Sequence, residues 1–340
     1  MTGSSIQAPA LGSLKRSLLA ALLLISSQAF AEKAITSTQN LTSLLSSLTE
    51  ELVGVIGVAA QQPGSPVTVL VNGDQPFPMA STYKVPIAIT LLRRVDRGEL
   101  SLSQLVSVED DGVVFSQIIA SAFPHSGASL SLANLIEVMI TYSDNTATDL
   151  CLELAGGAAA VTATMRELGI EGLRVDRSTA DILKDFYDIE AGRDGLAEVV
   201  AAARRDPQRV DALRPEFEAD PRDQSTPQAM LSLLVALHAG DAMSAASTDF
   251  LLGAMSRTVT KPDRLGLLLP RNTKIRHKTG TVGGIANDVG FISLPTGAEF
   301  AIVVFSKSSN TPAADRERAV AEVARTVYDF FALQVAAVRN

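Results

Sequence analysis

The feature that most restricts the fold of this chain is that its strand-forming segments sit at the two ends of a long helical stretch. GVIGVAAQ at 54–61 and PVTVLVNG at 66–73, parted by a Gln-Pro-Gly-Ser turn, read as a strand pair. TKIRHKTG at 273–280, NDVGFISL at 287–294 and EFAIVVFSK at 299–307 alternate or run apolar between turn residues. Between the two groups the apolar positions recur three and four apart, in 81–96, 131–141, 146–154, 226–238 and 247–255. Helical periodicity also brackets the whole, at 40–52 and 312–337. The simplest assembly pairs the end strands in one sheet flanked by the terminal helices, an α/β lobe of residues 32–75 and 262–340. Residues 76–261 then form an all-helical lobe that includes an extended loop at about 172–225, and a cleft between the lobes is the place for a site.

Composition narrows the function classes. The chain has 340 residues, 46% of them hydrophobic, and no apolar run long enough to span a bilayer. Residues 1–31 differ from the rest: Lys15 and Arg16 precede the apolar run Leu18–Ile25, followed by Ser-Ser-Gln and Ala29-Phe30-Ala31. That order reads as a signal peptide cut after Ala31, which places the mature chain in the periplasm. The net charge of −8 becomes more negative without Lys15 and Arg16, so nucleic acid is excluded as a partner. Cys151, the only cysteine, allows no internal disulfide, and its apolar position in TATDLCLELA suits a packed core thiol. It also offers no lipid attachment next to the leader, so no membrane anchor is expected.

Three short motifs carry the chemistry. FPMASTYKVPIAI at 77–89 sets Ser81, Thr82 and Lys84 against an apolar run. An ammonium there costs several kcal/mol unless it is paired, hydrogen-bonded or deprotonated. Ser-x-x-Lys puts both side chains on one helix face a single turn apart, so the amine can reach the hydroxyl. The same residues also suit a helix start with an N-cap serine and a snorkelling lysine. Ser143-Asp144-Asn145 falls between two helices, where all three types serve as caps. Lys278-Thr279-Gly280-Thr281 ends a predicted strand, where an edge lysine followed by a turn is the ordinary reading.

In this order and in these contexts, FPMASTYK, SDNTA and KTGT resemble the serine penicillin-recognising enzymes, most closely the class A β-lactamases. The likeness covers nearly the whole chain after the leader. It implies a β-lactamase/transpeptidase-like α/β fold, with an antiparallel sheet flanked by terminal helices plus the helical lobe. It also implies roles. Ser81 is expected to attack a lactam carbonyl and form an acyl-enzyme, with Lys84 as its activating base and Ser143 relaying a proton to the departing nitrogen. Asn145 is expected to bind the acylamido side chain, and the N–H groups of Ser81 and Thr281 to form the oxyanion hole. Lys278, Thr279 and Thr281, with Gly280 between them, are expected to hold the substrate carboxylate.

The chain departs from that family in places. Where class A enzymes carry Arg-x-Glu, this sequence has Arg177-Ser178-Thr179, and a threonine cannot be the general base of deacylation. Leu183 stands where the family has a water-binding asparagine. Asp223 matches the aspartate that clamps Arg177, a pair worth little if exposed. The insert at about 184–220 is long for a loop, and Asp181, Asp185, Asp188 and Glu190 are candidates to replace the glutamate. No arginine follows the KTGT strand; Asn287 and Asp288 occupy that region, with Lys307 or Arg316 as substitutes. No cofactor and no metal is expected, since His125, His238 and His277 lack ligand spacing. The expected partner is a small-molecule β-lactam or a peptidoglycan peptide bound by a monomer. The expected activity is β-lactam hydrolysis by a non-standard deacylation route. The alternatives are a D-alanyl-D-alanine carboxypeptidase and a non-catalytic β-lactam receptor.

Overall fold

The computed structural model describes residues 38–49, 54–116, 118–187, 192, 212–260 and 262–338. The leader, Asp188, Glu190 and most of the 184–220 insert lie outside the described residues.

Helix α1 covers 38–49 and leads into the hairpin β1 (Val55–Gln61) and β2 (Thr68–Val71). A two-residue strand, β3 (Phe77–Pro78), precedes a 3-10 turn at Ala80–Tyr83 and then α2 (Lys84–Asp96). Further along come β4 (Leu105–Ser107), α3 (Ile119–Ala122), β5 (Ser129–Ser131), α4 (Leu132–Thr141), α5 (Asn145–Leu154) and α6 (Ala158–Glu167). The long loop itself contains α7 (Thr179–Tyr187) and α8 (Pro215–Ala219), and ends in β6 (Gln224–Ser225). Helices α9 (Pro227–Ala239) and α10 (Ala245–Ser256) follow. Strands β7 (Ile275–Val282), β8 (Ile285–Ser293) and β9 (Glu299–Lys307) then lead to α11 (Ala313–Val338).

The five long strands form one antiparallel sheet in the order β2-β1-β9-β8-β7, as the distribution of strand segments requires. Its central strand, β9, is buried on both faces, which is why FAIVVFS reads as an unbroken apolar run. Period-two alternation sorts the sheet's side chains. Ile56, Val58, Ile302 and Val304 face Leu41 and Leu45 of α1 and Val320, Val327 and Phe331 of α11. Ala59, Ala301, Val303 and Phe305 face the core built with α2, α4 and α9.

Helix boundaries follow local chemistry. Ser131 caps α4 by accepting from Asn134 N, Asp144 caps α5 through Ala147 N, and Thr226 caps α9 with Pro227 in its first turn. The segment beginning at Ser81 differs from expectation. Ser81 is no N-cap: the α-helix starts at Lys84, and the serine sits in the preceding 3-10 turn. The cause is backbone geometry, because Ala80 has φ +46°, a region that residues with a Cβ seldom occupy.

Candidate active site

Ser81 is partly exposed, on a turn tied down from both sides. Thr82 Oγ1 donates to Met79 O at 2.8 Å, and Asn287 Nδ2 on β8 donates to Pro78 O at 2.8 Å and Met79 O at 3.1 Å. These bonds hold the unfavourable Ala80 conformation, of a kind that clusters at functional sites.

Lys84 opens α2 and is fully buried, with no solvent to take its protons. Its Nζ donates to Ser143 O at 2.7 Å, Ser143 Oγ at 3.1 Å and Asn145 Oδ1 at 2.8 Å. Those three acceptors use all three protons of an ammonium, so a charged Lys84 is committed to the Ser143–Asn145 corner and not to Ser81. Burial lowers its pKa from 10.5 to about 7, against the opposing pull of Asp144 and Asp149. The expected reach from Lys84 to Ser81 therefore belongs to the neutral amine, which has a lone pair and one proton fewer.

The corner owes its shape to Ser143, at φ +59°, and to Asp144. Besides capping α5, the Asp144 carboxylate accepts from Ile118 N at 3.2 Å and Ile119 N at 2.8 Å, and so joins α5 to the segment before α3. Asn145 Nδ2 donates to Phe115 O at 2.6 Å, which turns Oδ1 towards Lys84.

Strand β7 supplies the opposite wall. Lys278 is fully buried, contrary to the ordinary edge-strand reading, and its Nζ donates to Ser143 Oγ at 2.9 Å and Thr279 O at 2.8 Å. Burial, and then the adjacent Lys84 charge, hold its pKa well below the usual lysine value. The Ser143 hydroxyl accepts from both amines, which fills its lone pairs and leaves its own proton to donate. Gly280 is needed for close approach: a Cβ there would come within 2.6 Å of Met79 O and 3.1 Å of Ser81 N. Thr279 Oγ1 is 2.6 Å from Thr260 Oγ1.

Sequence reasoning missed the arginine behind this strand. Arg264, fully buried in a stretch without periodicity, donates to Gly280 O at 2.9 Å and to Thr281 Oγ1 at 2.7 Å. It precedes the motif instead of following it. The two substitutes considered are engaged elsewhere: Lys307 Nζ donates to Pro76 O at 2.8 Å, and Arg316 to Thr311 O and Gly283 O.

In the loop beneath, the clamp is a buried one. Arg177 Nε donates to Asp223 Oδ2 at 2.6 Å, while Asp223 Oδ1 accepts from Asp176 N at 2.7 Å and Arg177 N at 3.1 Å. Thr179 is buried under Tyr83, its Oγ1 2.5 Å from the phenol oxygen. Asp181 Oδ2 bonds Ser178 Oγ at 2.6 Å, and Asp185 Oδ2 accepts from Arg177 at 2.7 Å and Arg222 at 3.0 Å. Cys151 is a core thiol whose pKa burial pushes up. Among the described residues, no group of three His, Cys, Asp or Glu is placed to hold a metal ion, and no helix is long and apolar enough to cross a membrane.

This fold, an antiparallel sheet beside a helical body with Lys84 and Lys278 joined at Ser143 and the Ser81 turn lying against Gly280 of β7, is that of the class A serine β-lactamases. The model of the β-lactamase enzyme family matches residues 38–331, and the chain belongs to that family. It is 30% identical over 286 residues to the extended-spectrum β-lactamase PER-1 of Pseudomonas aeruginosa, covering 81% of this chain and 82% of the relative. The carbapenem-hydrolysing β-lactamase KPC of Klebsiella oxytoca is 27% identical over 281 residues, 82% of this chain and 84% of that one. Among solved structures, an ancestral class A β-lactamase superposes with a TM-score of 0.71 at 32% identity, covering 85% of this chain and 99% of its own.

Proposed function

We propose that this protein is an exported, monomeric serine β-lactamase that opens the lactam amide through an acyl-Ser81 intermediate, in the periplasm and after loss of residues 1–31. The observation that carries the reading is the meeting of Lys84 Nζ and Lys278 Nζ on one oxygen, Ser143 Oγ, at 3.1 and 2.9 Å. With a pKa of about 7, a large fraction of Lys84 is neutral at neutral pH and can take the Ser81 proton as the carbonyl is attacked. Ser143, whose oxygen is filled by the two amines, gives its own proton to the departing nitrogen and regains one from Lys84, which returns to the neutral amine. Lys278, Thr279 and Thr281 hold the substrate carboxylate, Asn145 takes the acylamido group, and the N–H groups of Ser81 and Thr281 receive the oxyanion. Arg264 fixes the Thr281 hydroxyl and adds positive charge behind the carboxylate site. Release of the acyl group proceeds without the usual glutamate.

The test is turnover of a chromogenic cephalosporin by the mature chain. Many turnovers per enzyme are expected, with no acyl-enzyme and no hydrolysis in Ser81→Ala. A stoichiometric burst followed by silence overturns the reading. One observation, threonine at position 179, favours a second reading as a D-alanyl-D-alanine carboxypeptidase; release of D-alanine from a pentapeptide in place of cephalosporin turnover would establish it.

A further inference from the structure

The acyl transfer read above uses two backbone N–H groups, of Ser81 and Thr281, which must stand at a fixed separation although they belong to different elements. Their neighbours in the chain meet in one small hydrophobic cluster. Phe186 at the end of α7, Val282 of β7 and Ile285 of β8 form it, with Ala80, Tyr187 and Phe217 packed against it. Ala80 directly precedes Ser81, and Val282 directly follows Thr281. Phe186 is 1% exposed, although Lys184 and Asp185 just before it are exposed.

The loop is anchored so as to bring that ring to this place. At its start α7 is tied to α5, Asp149 accepting from Thr179 N at 2.6 Å and from Ala180 N at 2.9 Å. At its end the Phe186 ring meets Tyr187 and Phe217 edge-on, with centroids 4.5 and 4.9 Å apart. Phe217 on α8 lies under the guanidinium of Arg177, 5.3 Å away, and the next residue, Glu218, accepts from Ser308 N at 2.7 Å and Ser308 Oγ at 2.9 Å just beyond β9. Asp223, which clamps Arg177, also accepts at its backbone oxygen from Met79 N at 3.0 Å, two residues before Ser81. The hairpin is shaped to receive the ring. Gly283 has φ +49°, and a Cβ there would run into Phe186 and come within 2.6 Å of Ala212 O. A turn made of Gly283 and Gly284 has no side chains of its own to stiffen it, so its position is set by what packs on it.

We infer that Phe186 is a positioning residue for acylation: the cluster it anchors, which takes in Ala80 on one side and Val282 on the other, sets the separation of Ser81 N and Thr281 N. The inference rests on the acyl-Ser81 step of the reading above and not on the route of deacylation. An oxyanion forms as the lactam carbonyl is attacked, and donors held off their proper places stabilise it less while leaving the bound substrate almost unaffected. Loss of the ring is therefore felt in the rate of acylation, whereas binding through Lys278 and Thr279, which lie before Gly280 on β7, is kept.

The experiment follows acylation by a chromogenic cephalosporin in stopped flow, over a range of concentrations that separates binding from the acylation rate, and reads it beside the thermal midpoint. Phe186→Ala is expected to slow acylation on the order of 100-fold and the more conservative Phe186→Leu about tenfold, with binding before acylation within about threefold of wild type. Phe331→Leu is the control. It loosens the core under α11, where the Phe331 ring lies 5.0 Å from that of Phe300, and is expected to lower the midpoint while keeping the wild-type acylation rate. Should Phe186→Ala fail to fold, Phe186→Leu reads the same step. Acylation at the wild-type rate in the Phe186 variants overturns the inference. So does a loss in Phe331→Leu equal to that in Phe186→Leu, the signature of a general softening of the fold. A wild-type protein that is never acylated overturns the enzymatic reading itself, and the inference with it. One that acylates and does not turn over defeats only the hydrolase reading, and the acylation rates of the variants still decide the inference.

Discussion

Lys84 shows how a single residue is held against its own solvation. It is enclosed, satisfied by three acceptors when charged, and still displaced from 10.5 to about 7 by burial. The sign of the consequence for stability follows from proton counting. Between about 7 and 10.5 the unfolded chain binds a proton at this lysine that the folded chain does not, so stability rises with pH across that interval. The upper end is masked, because Cys151, with an ordinary value of 9.0, is pushed up by burial and acts in the opposite sense once the unfolded thiol ionises. The urea midpoint is accordingly expected to be higher at about pH 8 than at pH 7, and the difference to shrink in Lys84→Met while Lys278 retains its share. A midpoint that falls over that interval would contradict the buried, near-neutral amine. At this scale the sequence showed that Lys84 needs partners but not which ones. Asn145 is 61 positions away, and only the likeness to the penicillin-recognising enzymes joined the two. Tyr83, Asp149 and Arg264 carry no local pattern at all, since their partners are set by how α5, the loop and β7 come together.

Among elements, β7 does most to define the cleft, because its Gly280 lets the strand lie against the Ser81 turn. A Cβ at that position would sit 2.6 Å from the backbone oxygen of Met79, which Asn287 and Thr82 already hold in place. Neither side can yield easily, so Gly280→Ala is expected to push the strand outward and move Thr281 away from Ser81. Acylation should fall at least about tenfold, and stability by roughly 1–3 kcal/mol as for other overpacked sites. Stopped-flow acylation rates and urea midpoints measure the two effects separately; an unchanged acylation rate would mean that the approach of strand and turn is not needed. The long elements were legible from their periodicity: α4, α5, α9, α10 and the five sheet strands lie where the apolar spacing puts them. The two-residue pairing of β3 with β6 was not, as two residues have no period to read, and α7 begins inside the Arg177-Ser178-Thr179 stretch, whose likeness to the family's loop motif points to a loop and not to a helix.

At the scale of the molecule, two hydrophobic cores share one sheet. Alternate residues of the same strands belong to different cores: Val58, Ile302 and Val304 to the one closed by α1 and α11, and Ala59, Val303 and Phe305 to the one closed by α2, α4 and α9. Neither core survives if the sheet opens, because each strand residue's neighbours in the chain hold the opposite face. The candidate active-site groups are divided in the same way, with Ser81, Lys84 and Ser143 on the helical side and Lys278 and Thr281 on the sheet. Although the sequence suggests two lobes, the chain is therefore expected to melt in one cooperative transition, with equal calorimetric and van't Hoff enthalpies. Loss of acylation should track loss of secondary structure through that transition. Two separate heat-absorption peaks, or a helical body that keeps its circular dichroism after the sheet has melted, would show that the cores are independent and that the cleft can come apart before either side unfolds.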